Sequence, residues 1–232
     1  MHRWLILFFT VGLLSARAAS QTVSPVIVEY TQKAEGSFTV RNDSMAPFTV
    51  VLEPRSFSVT EDGDPAYRLL DPSISVSLSA KSFRVAPHRG YTVFYRAQST
   101  QLPAWFTIYA SIAPPTAAGA VHLVIELPHT VYLLSRIQLR ADQVSFSRSE
   151  IASDGRHVEA ALENHAAEFE RVQEVELIGP SGKQTYAGFP FFPEQRRVLH
   201  LEWNGRGAAE RIIVKFSKFK VESTLHRSAS GL

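Results

Sequence analysis

A group of acidic residues in the second half of the chain is the first candidate for catalysis. Carboxylates held at a suitable separation can hydrolyse glycosidic bonds. Arg171 interrupts the group, however, and no series of aromatic residues accompanies it to line a sugar subsite. We therefore interpret these carboxylates as a solvent-exposed face. The group consists of Glu168, Glu170, Glu174 and Glu176.

The histidines and tryptophans offer little further chemistry. His122 and His129 are seven residues apart in what reads as one strand, so their side chains point to opposite faces and cannot share a metal ion. We expect both histidines at solvent-facing strand positions. Trp105 and Trp203 could be platforms for sugar rings, but such residues more often fill the core of a β-sandwich.

The chain also lacks the local motifs of the common enzyme classes. It has no G-x-S-x-G, no phosphate-binding loop, no G-x-G-x-x-G and no H-E-x-x-H. It has no cysteine, which excludes a disulfide framework, a thiolate metal site and a cysteine nucleophile. We expect neither enzymatic activity nor a metal or nucleotide cofactor.

Residues 1–18 have the pattern of a secretory signal. His2 and Arg3 form a short basic start, an apolar run covers 4–14, and the small residues Ala16 and Ala18 follow in an A-x-A pattern. The apolar run is shorter than the ~20 residues that span a bilayer. We expect cleavage after residue 18, export to the periplasm and no membrane insertion after cleavage.

Composition and charge narrow the function further. The chain has 232 residues, 45% of them hydrophobic and 20% charged, which is enough for packed cores and excludes intrinsic disorder. Removing residues 1–18 deletes Arg3 and Arg17 and no acidic residue, which leaves 24 − 2 = 22 basic and 22 acidic side chains. The mature protein is therefore neutral, and binding to nucleic acid is not expected.

Alternation of apolar and polar residues dominates the mature chain and is typical of β-strands separated by turns. We predict an all-β fold of two immunoglobulin-like β-sandwich domains, 19–135 and 136–232, set at a fixed angle because no flexible linker separates them. The alternating apolar residues in the first half are Phe38 and Val40; Phe48, Val50 and Leu52; Ile74, Val76 and Leu78; and Tyr91, Val93 and Tyr95. Those in the second half are Ile137 and Leu139; Val144 and Phe146; Leu199, Leu201 and Trp203; and Ile212, Val214 and Phe216.

Two segments leave alternatives open on pattern alone. Residues 157–176 are rich in Ala and Glu with apolar residues at helical spacing, which slightly favours a helix, although Asn164 argues for a turn. Residues 120–134 read as a strand with one fully aliphatic side, and periodicity alone favours an ordinary core strand there. That aliphatic side consists of Val121, Leu123, Ile125 and Leu127.

Short motifs along nearly the whole mature chain resemble the periplasmic chaperones of chaperone–usher pilus assembly. In this family an early strand ends in Asn, a later segment reads aromatic-x-aliphatic-x-Pro, and the next strand ends in Arg. The matching motifs of the first half are at 38–42, 83–87, 91–96, 105–109, 112–114 and 121–134. Those of the second half are at 162–164, 172–182, 189–193 and 198–201. The resemblance implies two immunoglobulin-like domains, and it implies strand, turn and strand rather than helix at 157–176.

The resemblance also implies a function. A pilin subunit is a sandwich that lacks one strand and exposes an aggregation-prone groove. The chaperone of this family lends its own strand to that groove before an outer-membrane usher receives the subunit, a mechanism known as donor-strand complementation. The resemblance assigns the donor positions to Val121, Leu123, Ile125 and Leu127 and implies pilin-like or surface-fibre subunits as partners. It leaves open whether the chaperone caps itself as a dimer.

The sequence departs from the family at one place. Typical members hold the carboxyl terminus of the subunit with an Arg on the first strand and a Lys on the donor strand. Neither 23–30 nor 128–131 contains Arg or Lys, and Pro128 interrupts main-chain pairing. An alternative reading is an exported two-domain adhesion or structural module of the same fold without a donor strand. A secreted carbohydrate-active enzyme has less support.

Overall fold

The computed structural model of the chain describes residues 21–113 and 124–228. Its regular structure is β throughout, apart from a short 3₁₀ turn at Ala141–Gln143. Within the described ranges, no helix is long and apolar enough to cross a membrane. The described residues form two large hydrophobic cores, one built from residues between Val23 and Leu133 and the other from residues between Leu139 and Leu225. The all-β class and the two-sandwich architecture predicted from the alternation are therefore confirmed.

The first sandwich consists of two sheets that enclose the first core. One sheet has the strand order β1-β3-β8-β6, and the other has the order β2-β10-β9-β4-β5, with β7 also on β4. After β1 the chain crosses from the first sheet to the second at Pro25. The strands are β1 (Gln21–Ser24), β2 (Ile27–Thr31), β3 (Lys33–Asn42), β4 (Phe48–Val59), β5 (Pro65–Leu69), β6 (Ile74–Leu78), β7 (Ser82–Val85), β8 (Gly90–Ser99), β9 (Ala104–Ala113) and β10 (Ile125–Leu134).

The second sandwich repeats this plan with smaller sheets. Its two main sheets have the orders β17-β12-β11-β20 and β15-β14-β18-β19, and β13 pairs with β16. The strands are β11 (Val144–Ile151), β12 (His157–Asn164), β13 (Glu170–Arg171), β14 (Glu174–Gly179), β15 (Gly182–Ala187), β16 (Pro190–Phe191), β17 (Arg196–Glu202), β18 (Arg211–Lys215), β19 (Lys220–Thr224) and β20 (His226–Arg227).

The strand–turn–strand prediction for 157–176 is confirmed. Strand β12 covers the first half of this segment, and β13 and the start of β14 follow after a turn. Val158, Ala160 and Leu162 alternate into the second core, so tertiary packing overrides the helix-forming tendency of the Ala and Glu residues.

The two sandwiches are in contact through aromatic side chains and a hairpin. Phe57 and Tyr132 of the first sandwich pack with Phe169 and Phe192 of the second in a small buried cluster. The hairpin between β4 and β5 reaches β17, where the Val198 N–H donates to the Glu61 carbonyl oxygen at 2.8 Å. Glu61 also forms an ion pair with Arg196.

Candidate functional site

Strand β10, which contains the predicted donor positions, is paired along its full length on one side only. It runs antiparallel to β9 from Ile125 to Leu133. On its other side the parallel strand β2 covers only 130–134, because β2 begins at Ile27 opposite Thr130. No strand of the described ranges covers the other side of 125–129. We call this side of 125–129 the open edge.

The side chains of this segment divide between the two faces of the sheet. Ile125 and Leu127 are half-buried and pack against the first core. Glu126 lies on the opposite, exposed face, where its carboxylate accepts hydrogen bonds from Arg55 and from Ser111, each at 3.3 Å. Two of the four predicted donor residues, Ile125 and Leu127, are thus on one face. The other two, Val121 and Leu123, lie outside the described residues.

His129, at the end of the open edge, is fully buried, so its predicted solvent-facing position is wrong. Its Nδ1–H donates to the Pro25 carbonyl oxygen at 2.7 Å, which leaves Nε2 as the acceptor for the Tyr95 hydroxyl at 3.1 Å. Tyr30 in turn donates to Tyr95 at 3.1 Å, and the imidazole stacks on Phe38 at 4.6 Å. The network gives both nitrogens of the buried imidazole a hydrogen-bond partner. It also connects Pro25, where the chain crosses between the sheets, to β10. His122 lies outside the described residues.

Gly36 makes room for this network. It sits on β3 opposite Tyr95. A Cβ atom at Gly36 would lie 2.1 Å from the Tyr30 hydroxyl oxygen and 2.9 Å from that of Tyr95. The absence of a side chain at this position therefore allows the two hydroxyl groups to meet beside His129.

We expect the stability of the first sandwich to fall at mildly acidic pH because of His129. Burial lowers the pKa of His129 from its ordinary value of 6.5, because it disfavours the imidazolium, and the hydrogen bond to Pro25 opposes this only in part. As the pH falls, His129 therefore becomes protonated at a higher pH in the unfolded chain than in the folded protein. The contribution of His129 to the free energy of unfolding should be constant above about pH 6.5 and decrease below it by at most about 1.4 kcal/mol per pH unit.

Urea unfolding at about pH 7.5 and about pH 5.5 measures this effect. His129→Gln should flatten the pH dependence, whereas the control His165→Gln, at an exposed position, should leave it as in the wild type. An unchanged slope in His129→Gln would assign the acid sensitivity to other groups.

A cation from the second sandwich also reaches the exposed face of β2 and β10, in addition to Arg55 beside Glu126. Arg171 forms an ion pair with Glu29 of β2 at 2.7 Å, and its guanidinium lies over the Tyr132 ring at 5.6 Å. This agrees with the lack of Arg and Lys at 23–30 and 128–131. Sequence reasoning missed Arg171, since nothing local to β13 indicates that it reaches β2.

The acidic group and the tryptophans have structural roles. Glu176 is only 4% exposed, so the prediction of a solvent-exposed face is wrong for this residue. It lies between Lys183 at 2.6 Å and Lys215 at 3.0 Å, and their hydrogen bonds lower its pKa. Trp203 fills the second core, and Trp105 packs against Phe192 at the contact between the sandwiches. No group of three or more potential ligand residues in the described ranges could hold a metal ion.

Two immunoglobulin-like sandwiches, the first with a half-paired strand at the open edge, thus define the class of fold. No protein-family model and no curated protein sequence matches the chain. The similarity is found among solved structures, and it extends over both sandwiches.

The chain is similar to the class 5 fimbriae chaperone CfaA, with a TM-score of 0.55 and 9% identity over 89% of this chain and 99% of that one. It is similar to the chaperone YadV, with a TM-score of 0.55 and 10% identity over 88% and 99% of the two chains. It is also similar to a chain of the Salmonella enterica SafA pilin–SafB chaperone complex, with a TM-score of 0.55 and 13% identity over 91% and 99%. The chain therefore has the fold of the pilus chaperones, as the sequence motifs predicted.

Proposed function

We propose that this chain is a periplasmic, non-enzymatic chaperone that binds pilin-like or surface-fibre subunits by donor-strand complementation. The observation that carries the proposal is the open edge of β10. No strand of the described ranges pairs with its outward backbone groups, which are the N–H and carbonyl of Glu126 and the carbonyl of Pro128, so they can pair with a strand of another chain. Ile125 and Leu127 alternate along the same segment and are only half-buried against the first core. The sequence pattern assigns Val121 and Leu123 to the same aliphatic face.

The fold supports the same proposal. An exposed strand edge is an aggregation hazard that proteins usually cover or shorten. In this protein one part of a strand edge is unpaired, while the rest of the same strand is paired on both sides. Such an edge is suited to β-augmentation. Strand donation needs no metal, nucleotide or catalytic group, because subunit folding and strand exchange supply the free energy. Subunits would then pass to an outer-membrane usher.

Periplasmic co-production with a pilin-like subunit from the same genome tests the proposal. We call this protein the probe subunit. A one-to-one complex should be isolated by size-exclusion chromatography, and the probe subunit produced alone should aggregate or be degraded. A probe subunit that is equally soluble without the chain, and that forms no complex with it, would favour the adhesion or structural module instead.

We expect the binding to depend little on the carboxyl terminus of the subunit. The cations described at the exposed face of β2 and β10 are already paired, Arg171 with Glu29 and Arg55 with Glu53 and Glu126. Amidation of the probe subunit should therefore change Kd by less than about threefold, whereas a lost charge-assisted hydrogen bond weakens binding roughly tenfold or more. Titration calorimetry on the two forms measures the difference. A large effect of amidation that disappears in Arg171→Gln would assign the terminal carboxylate to Arg171.

A further inference from the structure

Hydrogen bonds between β10 and the two residues that flank β2 identify the backbone groups that face the open edge. The Thr130 N–H donates to the Val26 carbonyl oxygen at 2.7 Å, and the Gln32 N–H donates to the Leu134 carbonyl oxygen at 2.9 Å. Backbone groups of successive strand residues point to opposite sides. The backbone N–H and carbonyl groups of the even-numbered residues of β10 therefore point away from β9. Along the open edge these residues are Glu126 and Pro128.

These two residues differ in what they offer to an incoming strand. Glu126 presents both an N–H donor and a carbonyl acceptor. Pro128 presents a carbonyl only, because its nitrogen carries no hydrogen. Any ladder that forms along the open edge thus lacks its donor at Pro128.

The chain itself occupies the space beyond Pro128. Strand β2 pairs with β10 from Ile27 onward, so a strand bound at the open edge would lie in line with β2 and meet Val26. The side chains there are apolar and unusually exposed, 49% for Val26 and 52% for Ile27. The charged groups nearby are already paired, Glu29 with Arg171, and Glu126 with Arg55, which also pairs with Glu53. The end of the open edge at Val26 and Ile27 is therefore an apolar stop.

We infer that a bound subunit strand ends its pairing with β10 at Pro128, that the Glu126 N–H is the last donor it uses, and that its terminal apolar residue packs on Val26 and Ile27. The inference rests on the proposed function and specifies its register. The partner it fits is an extended strand with an apolar, uncharged residue at the end nearest Pro128. Backbone pairing and apolar contact, rather than a cation, fix the position of that strand.

Glu126→Pro tests the donor directly. The Glu126 backbone groups face away from β9, so proline at this position removes the edge N–H while the β9 hydrogen bonds remain. Its Kd for the probe subunit should rise at least about tenfold. The control Glu126→Ala removes the contacts with Arg55 and Ser111 but keeps the N–H, and its Kd should stay within about threefold of the wild type.

Val26→Asp tests the apolar stop. A carboxylate beside the end of the bound strand should raise Kd by about tenfold. Val51→Asp is the matched control, because Val51 is 52% exposed on β4, away from the open edge. Its Kd should change by less than about threefold. Glu126→Pro and Val26→Asp variants that bind like the wild type would overturn the inference.

Amide hydrogen exchange of the wild-type protein provides a measurement that does not depend on any variant folding. The Glu126 amide should exchange fast in the free protein and slow at least about tenfold in the complex, while the Leu127 amide, which faces β9, stays slow in both. A Glu126 amide already protected in the free protein, or unprotected in the complex, overturns the inference. If the wild type forms no complex, the proposed function fails. If it does and only these tests fail, the register alone is wrong.

Discussion

Replacement of Leu123 by Asp is expected to abolish binding of the probe subunit and to leave the thermal stability of the chain unchanged. If Leu123 enters the groove of a subunit, the aspartate would place a carboxylate without a partner in an apolar site, which costs several kcal/mol. Binding should then fall at least about a hundredfold. On this hypothesis the free chain would lose nothing, because the subunit would supply the apolar surroundings of this side chain.

Ile125→Asp should behave differently, because Ile125 is half-buried and packs on the first core. The same change there should lower the melting temperature as well as the affinity. Val124→Asp is the neighbouring control, since Val124 is 56% exposed, and it should affect neither quantity strongly. Thermal melts combined with co-purification separate these cases. A collapsed melting temperature in Leu123→Asp would make that residue part of an ordinary core, and strand donation would lose its central residue.

Alternation predicted the strands and the fold class because local pattern and tertiary packing agree along most of the chain. The same rule could have located His129. Ile125, Leu127, His129 and Val131 are two residues apart, so the histidine shares the inward face of β10. A local pattern does not show, however, that there is space for the imidazole or that it has hydrogen-bond partners, since Gly36 and the tyrosine hydroxyls come from β3, β2 and β8. A buried polar residue is predictable only together with its partners.

For a similar reason, only part of the candidate site could be predicted from the sequence. The aliphatic face of β10 is visible in the sequence, but the open edge is not. It exists because the chain changes sheets at Pro25 and β2 begins only at Ile27. That starting point is set by non-local pairing. The pairing of Arg171 with Glu29 likewise joins residues of two different sandwiches.

Two asparagines named by the sequence motifs have the same role in the two sandwiches. The Asn42 side-chain nitrogen donates to the carbonyl oxygens of Ala46 and Val85, and its oxygen accepts from the Ser44 N–H. Asn164 repeats the pattern. It donates to Glu168 and Phe192, each at 2.8 Å, and accepts from the Ala166 N–H at 3.0 Å. In each case one buried amide closes the turn four residues ahead and ties it to a distant strand or loop.

Asn164→Ala is therefore expected to destabilise the second sandwich by roughly 2–4 kcal/mol, because it leaves two carbonyl oxygens and one N–H without their partner. Asn164→Asp should be worse at neutral pH, since a buried carboxylate would face the same two oxygens. The control Asn204→Ala, at an exposed turn, should stay within about 0.5 kcal/mol of the wild type. Urea unfolding measures all three variants.

Because Phe192 packs on Trp105 and Tyr132, Asn164→Ala should also loosen the contact between the sandwiches. An Asn164→Ala variant as stable as the wild type would show that water replaces the amide, and the turn would then be held by its backbone alone.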